Sequence, residues 1–228
     1  MMQMIHQKLN LLRDQMTPKL ALKLGALVLL IGVAVYLLFL RGGSTTPERI
    51  VKVTAKRVVN GHYVKLKDDE KLNYLGIRAP YEHEPLFNQS TQRNEELVVG
   101  KELRLRYDDK LHDRKGRLWA YAFLEDGTFV NQVLVVEGLA YVRARPNVVR
   151  FRDSLIAAQK AARKARRGLW AEPTPAPEPE YFADPKYAEF HRPSCETAMN
   201  IKPERLTKFT SRDQALDLGF SPCDKCLP

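Results

Sequence analysis

The feature that most constrains the fold is a series of five short β-type segments separated by turn residues. They cover residues 50–59, 63–66, 72–77, 102–107 and 118–124. Asn60-Gly61 is a strong hairpin signal between the first two segments, because both residues tolerate the positive φ angles of a tight turn. Helical patterns follow from Thr128 to about Gly138 and over residues 151–165, with Gly168 where a helix-terminating glycine is expected. Five strands interleaved with helices predict a small α+β barrel.

Positive charge is concentrated on the same stretch. Residues 49–170 carry 25 Lys and Arg against 15 Asp and Glu, a net charge of +10, whereas residues 1–48 carry +3 and residues 171–228 carry −3. Such a surface attracts phosphate backbones or anionic lipid headgroups, so nucleic acid or another polyanion is the expected partner. The alternative is a generally basic domain that has no polyanion partner.

Four groups of motifs within residues 49–170 resemble the staphylococcal nuclease family. They are VVNGHYVKL (58–66), LGIRAP (75–80), DRKGRLWAY (113–121), and DGTFVN (126–131) followed by EGLAY (137–141). The resemblance implies an OB-fold barrel of five strands with three helices. It also implies phosphodiester hydrolysis by a calcium ion, a glutamate base and two arginines.

Four of the five positions that carry this chemistry hold other residues here. In the resemblance, the two metal-binding aspartates correspond to His62 and Arg78. The first phosphate-binding arginine corresponds to Asn73 and the general-base glutamate to Tyr81, so only the second arginine remains, as Arg117. Calcium takes carboxylate and carbonyl oxygens, so a calcium ion is not expected. The resemblance therefore implies a degraded active site without catalytic residues, that is, a pseudoenzyme.

The remaining side chains suit phosphate binding. His62, Arg78 and Arg117 are expected to converge on one phosphate, because arginine binds phosphate in a bidentate manner without a metal. Further phosphate-binding residues are expected on a loop and on a basic helix: Lys115, Lys160, Lys164 and Arg167. Two alternatives stay open, namely that the helix charges form a solvated face and that Arg78 fills the old metal pocket by pairing with a leftover carboxylate.

A divergent, active nuclease is the other interpretation of this site. Glu82 lies one residue beyond the expected base, Glu84 lies three residues beyond it, and His62 is itself a candidate base. Losing one catalytic group typically costs about 100–1000-fold in rate, so losing four together leaves little of the parent mechanism.

An apolar run without charged residues covers residues 24–40. At about 1.5 Å per residue it spans roughly 25 Å, and the flanking Lys23 lengthens the effective span. We expect an uncleaved single-pass anchor in the cell membrane, since no small-residue cleavage site follows the run; a cleaved signal peptide is the alternative. The soluble domains are expected on the extracytoplasmic side, although lysine and arginine flank both ends of the run and do not decide the orientation.

All three cysteines lie in residues 185–228, beyond a Pro-rich linker at residues 171–184. The motif HRPSC (191–195) opens this segment and CDKC (223–226) ends it. A module this small needs a metal or disulfides for stability. One histidine and three cysteines predict a tetrahedral structural zinc site with four ligands: His191, Cys195, Cys223 and Cys226. A Cys223–Cys226 disulfide beside a lone Cys195 is the alternative.

The same module resembles the zinc-binding domain of the bacterial Ada methylation-repair family through the motifs RPSC and GFSPCxxC. In that family the first ligand is a thiolate that accepts methyl groups from DNA phosphotriesters, whereas His191 stands at that position here. The resemblance therefore implies a binding or structural role without methyl transfer, and the −3 charge makes a protein partner an alternative to nucleic acid. A capping box from Ser211 to Gln214 predicts a helix that ends near Gly219.

These patterns divide the chain into a tail (1–23), an anchor (24–40), a nuclease-like domain (49–170), a linker (171–184) and a zinc module (185–228). They predict a membrane-anchored, nuclease-like protein that is catalytically degraded and binds nucleic acid or another polyanion. The alternatives are a divergent active nuclease and a membrane scaffold that binds proteins and lipid headgroups.

Overall fold

The computed structural model describes residues 50–148, 150–171, 173 and 176–228, together with Leu27, Leu29 and Gly32. The predicted tail and nearly all of the predicted anchor, residues 24–40, lie outside the described residues. In the part of the chain that is described, no helix has the length and apolar character needed to cross a membrane. Arg49–Pro228 form one compact unit.

The predicted barrel is present and closed. Its strands are β1 Val51–Asn60, β2 Tyr63–Leu66, β3 Lys71–Tyr74, β5 Glu102–Arg106 and β6 Leu118–Leu124, in the order β1-β2-β3-β6-β5. The predicted turn joins β1 to β2, with Asn60 opposite Tyr63. The predicted strand 72–77 is interrupted, because Gly76 adopts a φ of 84° and the chain then resumes as β4 Ile77–Arg78. β4 pairs with β7 Tyr141–Val142 outside the barrel.

Alternating side chains explain why these segments close around one core. In β5, Leu103 and Leu105 are fully buried, whereas the residues between and beside them reach partly to solvent. Leu66 and Leu72 reach the same core from β2 and β3. The apolar face of each strand thus fills the barrel interior and leaves the polar face outside.

Three helices pack on the barrel, as predicted: α1 Phe87–Val98, α2 Val130–Val136 and α3 Arg152–Lys164. Two predicted ends are wrong. Thr128 does not cap α2, because its amide donates to Asp126 Oδ1 at 2.8 Å and the residue belongs to the turn after β6. Gly168 does not terminate α3, because Arg166 already takes the left-handed conformation there, with φ 51°, and Gly168 begins a short 3-10 helix.

The C-terminal module is a four-stranded sheet with two short helices. Its elements are β8 Tyr181–Asp184, β9 Glu189–His191, α4 Glu196–Met199, β10 Thr207–Phe209, α5 Arg212–Asp217 and β11 Ser221–Pro222, with strand order β10-β8-β9-β11. Because β8 begins at Tyr181, the folded module starts inside the predicted linker of residues 171–184. The capping box is confirmed, since Ser211 Oγ accepts the Gln214 amide at 3.1 Å and Gly219 follows with φ 80°.

The module and the nuclease-like domain share one apolar cluster. Its buried members are Tyr141, Ala162, Trp170, Tyr181, Ala183, Phe190, Phe209, Ala215 and Leu216. Hydrogen bonds cross the same boundary: the Ala144 amide donates to the Gly219 carbonyl at 2.8 Å, and Gln159 Nε2 donates to the Leu216 carbonyl at 3.0 Å. The Pro-rich segment therefore connects two parts that pack against each other.

Candidate nucleic-acid cleft and candidate metal centre

A cleft of about 1050 Å³ lies where the barrel meets the C-terminal module. The nuclease-like domain lines it with the β1–β2 turn, β3, β4, the loop before β6 and residues 143–147. The module lines it with residues 184–187 and 204–207. All five positions at which the family's chemistry is expected line this cleft: His62, Asn73, Arg78, Tyr81 and Arg117. The barrel thus brings these residues together as the resemblance implied.

Arg78 is buried on β4, with 1% of its surface exposed. Its Nη1 donates to Glu84 Oε2 in a buried ion pair, and its Nη2 donates to the Pro222 carbonyl oxygen at 3.0 Å. Burial by itself would lower the pKa of Arg78, but the hydrogen bond and charge of Glu84 outweigh it and raise the pKa. This geometry matches the alternative in which Arg78 fills the old metal pocket by pairing with a carboxylate.

Glu84 is the carboxylate that neutralises this position. Its Oε2 also accepts the backbone amide of Tyr81 at 2.8 Å, so the oxygen that faces Arg78 already has two donors. The centroid of the Tyr81 ring lies 5.3 Å from the Arg78 guanidinium carbon, so the ring packs beside the ion pair. Glu82, the other candidate base, is exposed and does not line the cleft.

His62 occupies the tight turn between β1 and β2 and is partly buried. Its Nδ1 accepts the Ala79 amide at 3.2 Å. Burial, followed by the charges of Arg78, Arg143 and Arg117, lowers the pKa of His62 to about 3, so the ring is neutral at physiological pH. A neutral ring that accepts at Nδ1 carries its proton on Nε2. The remaining ring nitrogen is therefore a hydrogen-bond donor.

Arg117 is held in place by Asp113. The guanidinium donates to Asp113 Oδ2 at 2.6 Å, and Asn73 Nδ2 donates to the same oxygen at 3.3 Å. The Arg117 guanidinium carbon also lies 5.2 Å from the centroid of the Tyr63 ring. Burial would raise the pKa of Asp113, but its hydrogen bonds with Arg117 and Lys115 lower it overall. Arg117, the one family arginine that this chain retains, is thus orientated by an ionised carboxylate.

The donor set of the cleft does not fit a calcium ion. Its carboxylates are those of Asp113, Asp184 and Glu204, and the first two are paired with Arg117 and, at 3.2 Å, with Arg205. Calcium needs six to eight oxygen ligands, whereas arginine offers donors alone. Within the described residues, the clusters able to hold a metal ion all include Cys223, which lies outside this cleft.

The cleft is strongly cationic, and part of that charge was not predicted. Nine Lys and Arg residues line it against three Asp and Glu residues. The aromatic residues Trp119 and Tyr187 also line it. The unpredicted cations are Lys110, Arg114, Arg143, Arg145, Lys186 and Arg205. The spacing of Arg143 and Arg145 in an extended segment places both side chains on one side, which is a signal available in the sequence. The residues from the module carry no comparable signal.

The predicted basic helix residues lie elsewhere. Lys160, Lys164 and Arg167 do not line the cleft, whereas His62, Arg78, Lys115 and Arg117 do. Lys160 Nζ lies 3.3 Å from Asp217 Oδ2 on the module, and Arg167 Nη1 donates to the Val136 carbonyl at 3.2 Å. The structure therefore brings four of the seven predicted phosphate-binding residues to the cleft and leaves the three helix residues outside it.

The predicted metal ligands converge on one point. One ligand atom from each of His191, Cys195, Cys223 and Cys226 lies within 4.8 Å of the others, and Cys195 Sγ is 3.7 Å from His191 Nδ1. Zinc–sulfur bonds of about 2.3 Å in a tetrahedron separate neighbouring ligands by roughly 3.5–3.8 Å, so the cluster fits. The Arg192 and Lys225 amides donate to Cys226 and Cys223 sulfur at 3.4 Å. The cysteines are free, so the alternative disulfide is not formed.

Comparisons with known proteins agree with the cleft and the barrel. Residues 71–172 match the family described as staphylococcal nuclease homologue. An uncharacterized endonuclease of Escherichia coli O157:H7 is 32% identical over 125 residues, covering 53% of this chain and 78% of the relative. A thermonuclease of Staphylococcus hyicus is 29% identical over 140 residues, covering 57% of this chain and 80% of the relative. The chain belongs to the staphylococcal nuclease family, which indicates a role as a nuclease or a nucleic-acid-binding protein.

Proposed function

We propose that this protein binds nucleic acid in its cationic cleft and does not hydrolyse it by the metal-dependent route of its family. The observation that carries the proposal is the buried Arg78–Glu84 pair, because the resemblance implies a metal-binding carboxylate at position 78. A guanidinium repels a divalent cation, and the carboxylate beside it is already engaged. The position is filled by a neutral pair that requires no metal.

The two buried candidates for a catalytic base, His62 and Glu84, are poorly placed for hydrolysis. An attacking water must lose a proton to a group within hydrogen-bond reach whose lone pair is available. His62 uses its Nδ1 lone pair on the Ala79 amide. Glu84 is buried, its Oε2 accepts from Arg78 and Tyr81, and it does not line the cleft. The Nε2 proton of His62 suits a phosphate oxygen instead. His62 and Glu84 are therefore better suited to binding a phosphate and holding Arg78, respectively, than to activating a water molecule.

The cleft offers what a polyanion needs. The nuclease-like domain contributes Lys115 and Arg117 to the lining, and the module contributes Lys186 and Arg205. Each phosphate neutralised by lysine or arginine releases condensed counterions, which makes the affinity fall as the salt concentration rises. Arg117, held by Asp113 against the Tyr63 ring, keeps one guanidinium edge in a fixed orientation for a phosphate.

Zinc is the metal proposed for the His191, Cys195, Cys223 and Cys226 cluster. Four protein ligands complete a tetrahedral shell, so the site is closed and structural. A thiolate-rich set selects zinc over calcium or magnesium. The metal would hold β9, α4 and the CDKC turn together in a module with little core of its own.

A single-pass anchor at residues 24–40 is proposed from the sequence, with the compact unit on the extracytoplasmic side. An anchored cleft would meet nucleic acid that reaches the membrane surface. Expressing the chain with and without residues 1–48 and separating membranes from the soluble fraction tests this, because only the longer form should resist extraction by high salt and carbonate. Release of both forms by these washes would contradict the anchor.

The central proposal is tested with the purified full chain and labelled oligonucleotides. We expect binding of DNA or RNA that weakens steeply between low and high salt, and no cleavage with calcium or magnesium over hours. Arg117→Ala should weaken binding, and Lys208→Ala serves as a control because Lys208 pairs with Glu180 at 3.1 Å away from the cleft. Metal-dependent cleavage abolished by Arg117→Ala would instead establish the second candidate, an active nuclease. That candidate is favoured by the endonuclease and thermonuclease relatives.

A further inference from the structure

The β8–β9 hairpin of the module ends in a turn that forms part of the cleft wall. Asp184, Pro185, Lys186 and Tyr187 make up this hairpin tip and all line the cleft. Tyr187 is 40% exposed, and Lys186 is exposed as well. Among the described residues, Tyr187 belongs to none of the apolar clusters that pack the module. Its position calls for a different explanation.

The backbone of the hairpin tip is fixed to the nuclease-like domain. Arg143 Nε donates to the Tyr187 carbonyl at 3.0 Å, and the Arg143 guanidinium pairs with Glu189 just beyond the tip. Asp184 Oδ1 accepts the Lys186 amide at 3.0 Å, which tightens the turn. These contacts use the backbone and the flanking acids. The side chains of Lys186 and Tyr187 take no part in these contacts, so they stay available to a ligand in the cleft.

Cation and aromatic surface stand side by side at the tip. Lys186 Nζ lies 5.7 Å from the centroid of the Tyr187 ring, and Lys186 has no carboxylate partner among the described residues. An unpaired ammonium next to an aromatic ring matches the two parts of a nucleotide, the phosphate and the base. Stacking of a base on an aromatic side chain requires that the base be free of its neighbours in a duplex.

A second unpaired cation lies on the nuclease-like wall. The Arg145 guanidinium carbon is 5.5 Å from the centroid of the Trp119 ring, and its buried Nε has no hydrogen-bond partner in the described part of the chain. Burial and the neighbouring Arg143 charge lower the pKa of Arg145 to about 10, so it remains charged at physiological pH. A half-buried guanidinium without a carboxylate is a place where an incoming anion gains a strong contact.

We propose that the hairpin tip and the Arg145–Trp119 pair form a composite subsite for single-stranded nucleic acid. Arg145 and Lys186 contact phosphates from the two walls, and Tyr187 stacks on an unpaired base. The inference rests on the proposed function, because it specifies which form of nucleic acid the same cleft takes. It also gives the C-terminal module a direct part in binding, in addition to closing the metal site.

The test uses the purified full chain, a labelled oligothymidylate of about twenty nucleotides, longer than a single OB-fold site, and a duplex of equal length. Tyr187→Ala should weaken binding of the single strand about 10-fold, as expected for the loss of one stacked base, and should change duplex binding by less than about twofold. Tyr187→Phe keeps the ring and should bind as the parent does. Lys208→Ala is the matched module control.

Arg145→Gln and Lys186→Ala complete the series, and thermal unfolding confirms that each variant is folded. Single-strand binding unchanged by Tyr187→Ala, Lys186→Ala and Arg145→Gln, while Arg117→Ala weakens it, overturns the composite subsite and leaves the proposed function standing. An equal loss for duplex and single strand overturns the single-strand assignment. Absence of binding to both probes by the unaltered chain overturns the proposed function itself.

Discussion

Position 78 in the cleft and position 191 in the C-terminal module both differ from the families that their surroundings resemble. At position 78 a metal-binding carboxylate is replaced by a guanidinium, which is now buried against Glu84. At position 191 a thiolate is replaced by an imidazole, which remains beside Cys195. Imidazole is itself a zinc ligand, whereas guanidinium is a cation that offers no lone pair to a metal. The exchange at position 191 therefore keeps a potential metal donor, whereas the exchange at position 78 puts a cation where the resemblance implies a donor.

The largest expected effect tests the retained site. Cys223→Ser should remove bound zinc and unfold the module, because structural zinc contributes about 10–16 kcal/mol in comparable peptides. Zinc content by mass spectrometry and the midpoint of thermal unfolding measure this. Ser194→Ala, an exposed position inside the same motif, should change neither. A Cys223→Ser protein that melts like the parent would show that the module is stable without a metal. The contrast between positions 78 and 191 would then lose its support at position 191.

The next effect tests the converted site. Glu84→Gln leaves the buried Arg78 charge without its partner and should lower the free energy of unfolding by about 3–5 kcal/mol. Glu82→Gln, at an exposed neighbouring position, should change it by less than about 0.5 kcal/mol. Urea denaturation measures both. The double change Arg78→Leu with Glu84→Leu should recover most of the loss, since no buried charge remains.

Equal stability of Glu84→Gln and Glu82→Gln would mean that Arg78 reaches water or an anion in solution. It would then be available for phosphate binding, as the sequence first suggested. The contrast between a filled and a retained metal position would have to be abandoned.

A third, smaller effect concerns His62 and the pH dependence of the free energy of unfolding. Its pKa is about 3 when folded and near 6.5 when unfolded, so the unfolded chain binds the proton first as the pH falls. The stability present above pH 6.5 should decline below it, by about 2 kcal/mol between pH 7 and pH 5. His62→Asn should flatten this part of the profile, whereas the exposed His83→Asn should not. Identical profiles for parent and His62→Asn would refute the neutral, buried ring.

The smallest expected effect separates the cleft from the basic helix. Lys115→Ala should weaken binding of an oligonucleotide modestly and reduce the slope of log affinity against log salt by about one. Lys160→Ala should leave affinity and slope nearly unchanged, because its ammonium already lies beside Asp217 and outside the cleft. Fluorescence anisotropy over a series of salt concentrations measures both. The reverse ranking would move the binding surface to the helix.

The barrel and the four metal ligands were predictable because their signals are local. Strand periodicity and the Asn60-Gly61 turn depend on neighbouring residues, and the spacing of His191 to Cys195 brings two ligands to one turn. For Arg78 the sequence left phosphate binding and pairing with a carboxylate both open, and its second partner, Pro222, lies 144 residues away. No periodicity encodes such a contact.

The fate of the basic helix also depended on packing. A run of Lys and Arg on an Ala-rich helix suits nucleic acid, solvent or an acidic neighbour equally well. Arg163 pairs with both Asp213 and Asp217, on a helix that the Pro-rich segment separates in sequence. The opposite net charges of residues 49–170 and 171–228 are a sign in the sequence that the two parts attract each other. The same charges are equally compatible with binding to other molecules. Only the tertiary arrangement shows that part of the charge is satisfied within the chain.

The Pro222 carbonyl accepts a hydrogen bond from Arg78, so the attachment of the C-terminal module depends in part on the residue at position 78. An aspartate at position 78 is too short to reach that carbonyl, which would lose its donor, and Glu84 would face a second carboxylate in place of a guanidinium. Arg78 thus helps to hold the C-terminal module, and a carboxylate in its place would give up that hydrogen bond. Arg78→Asp is therefore expected to loosen the module.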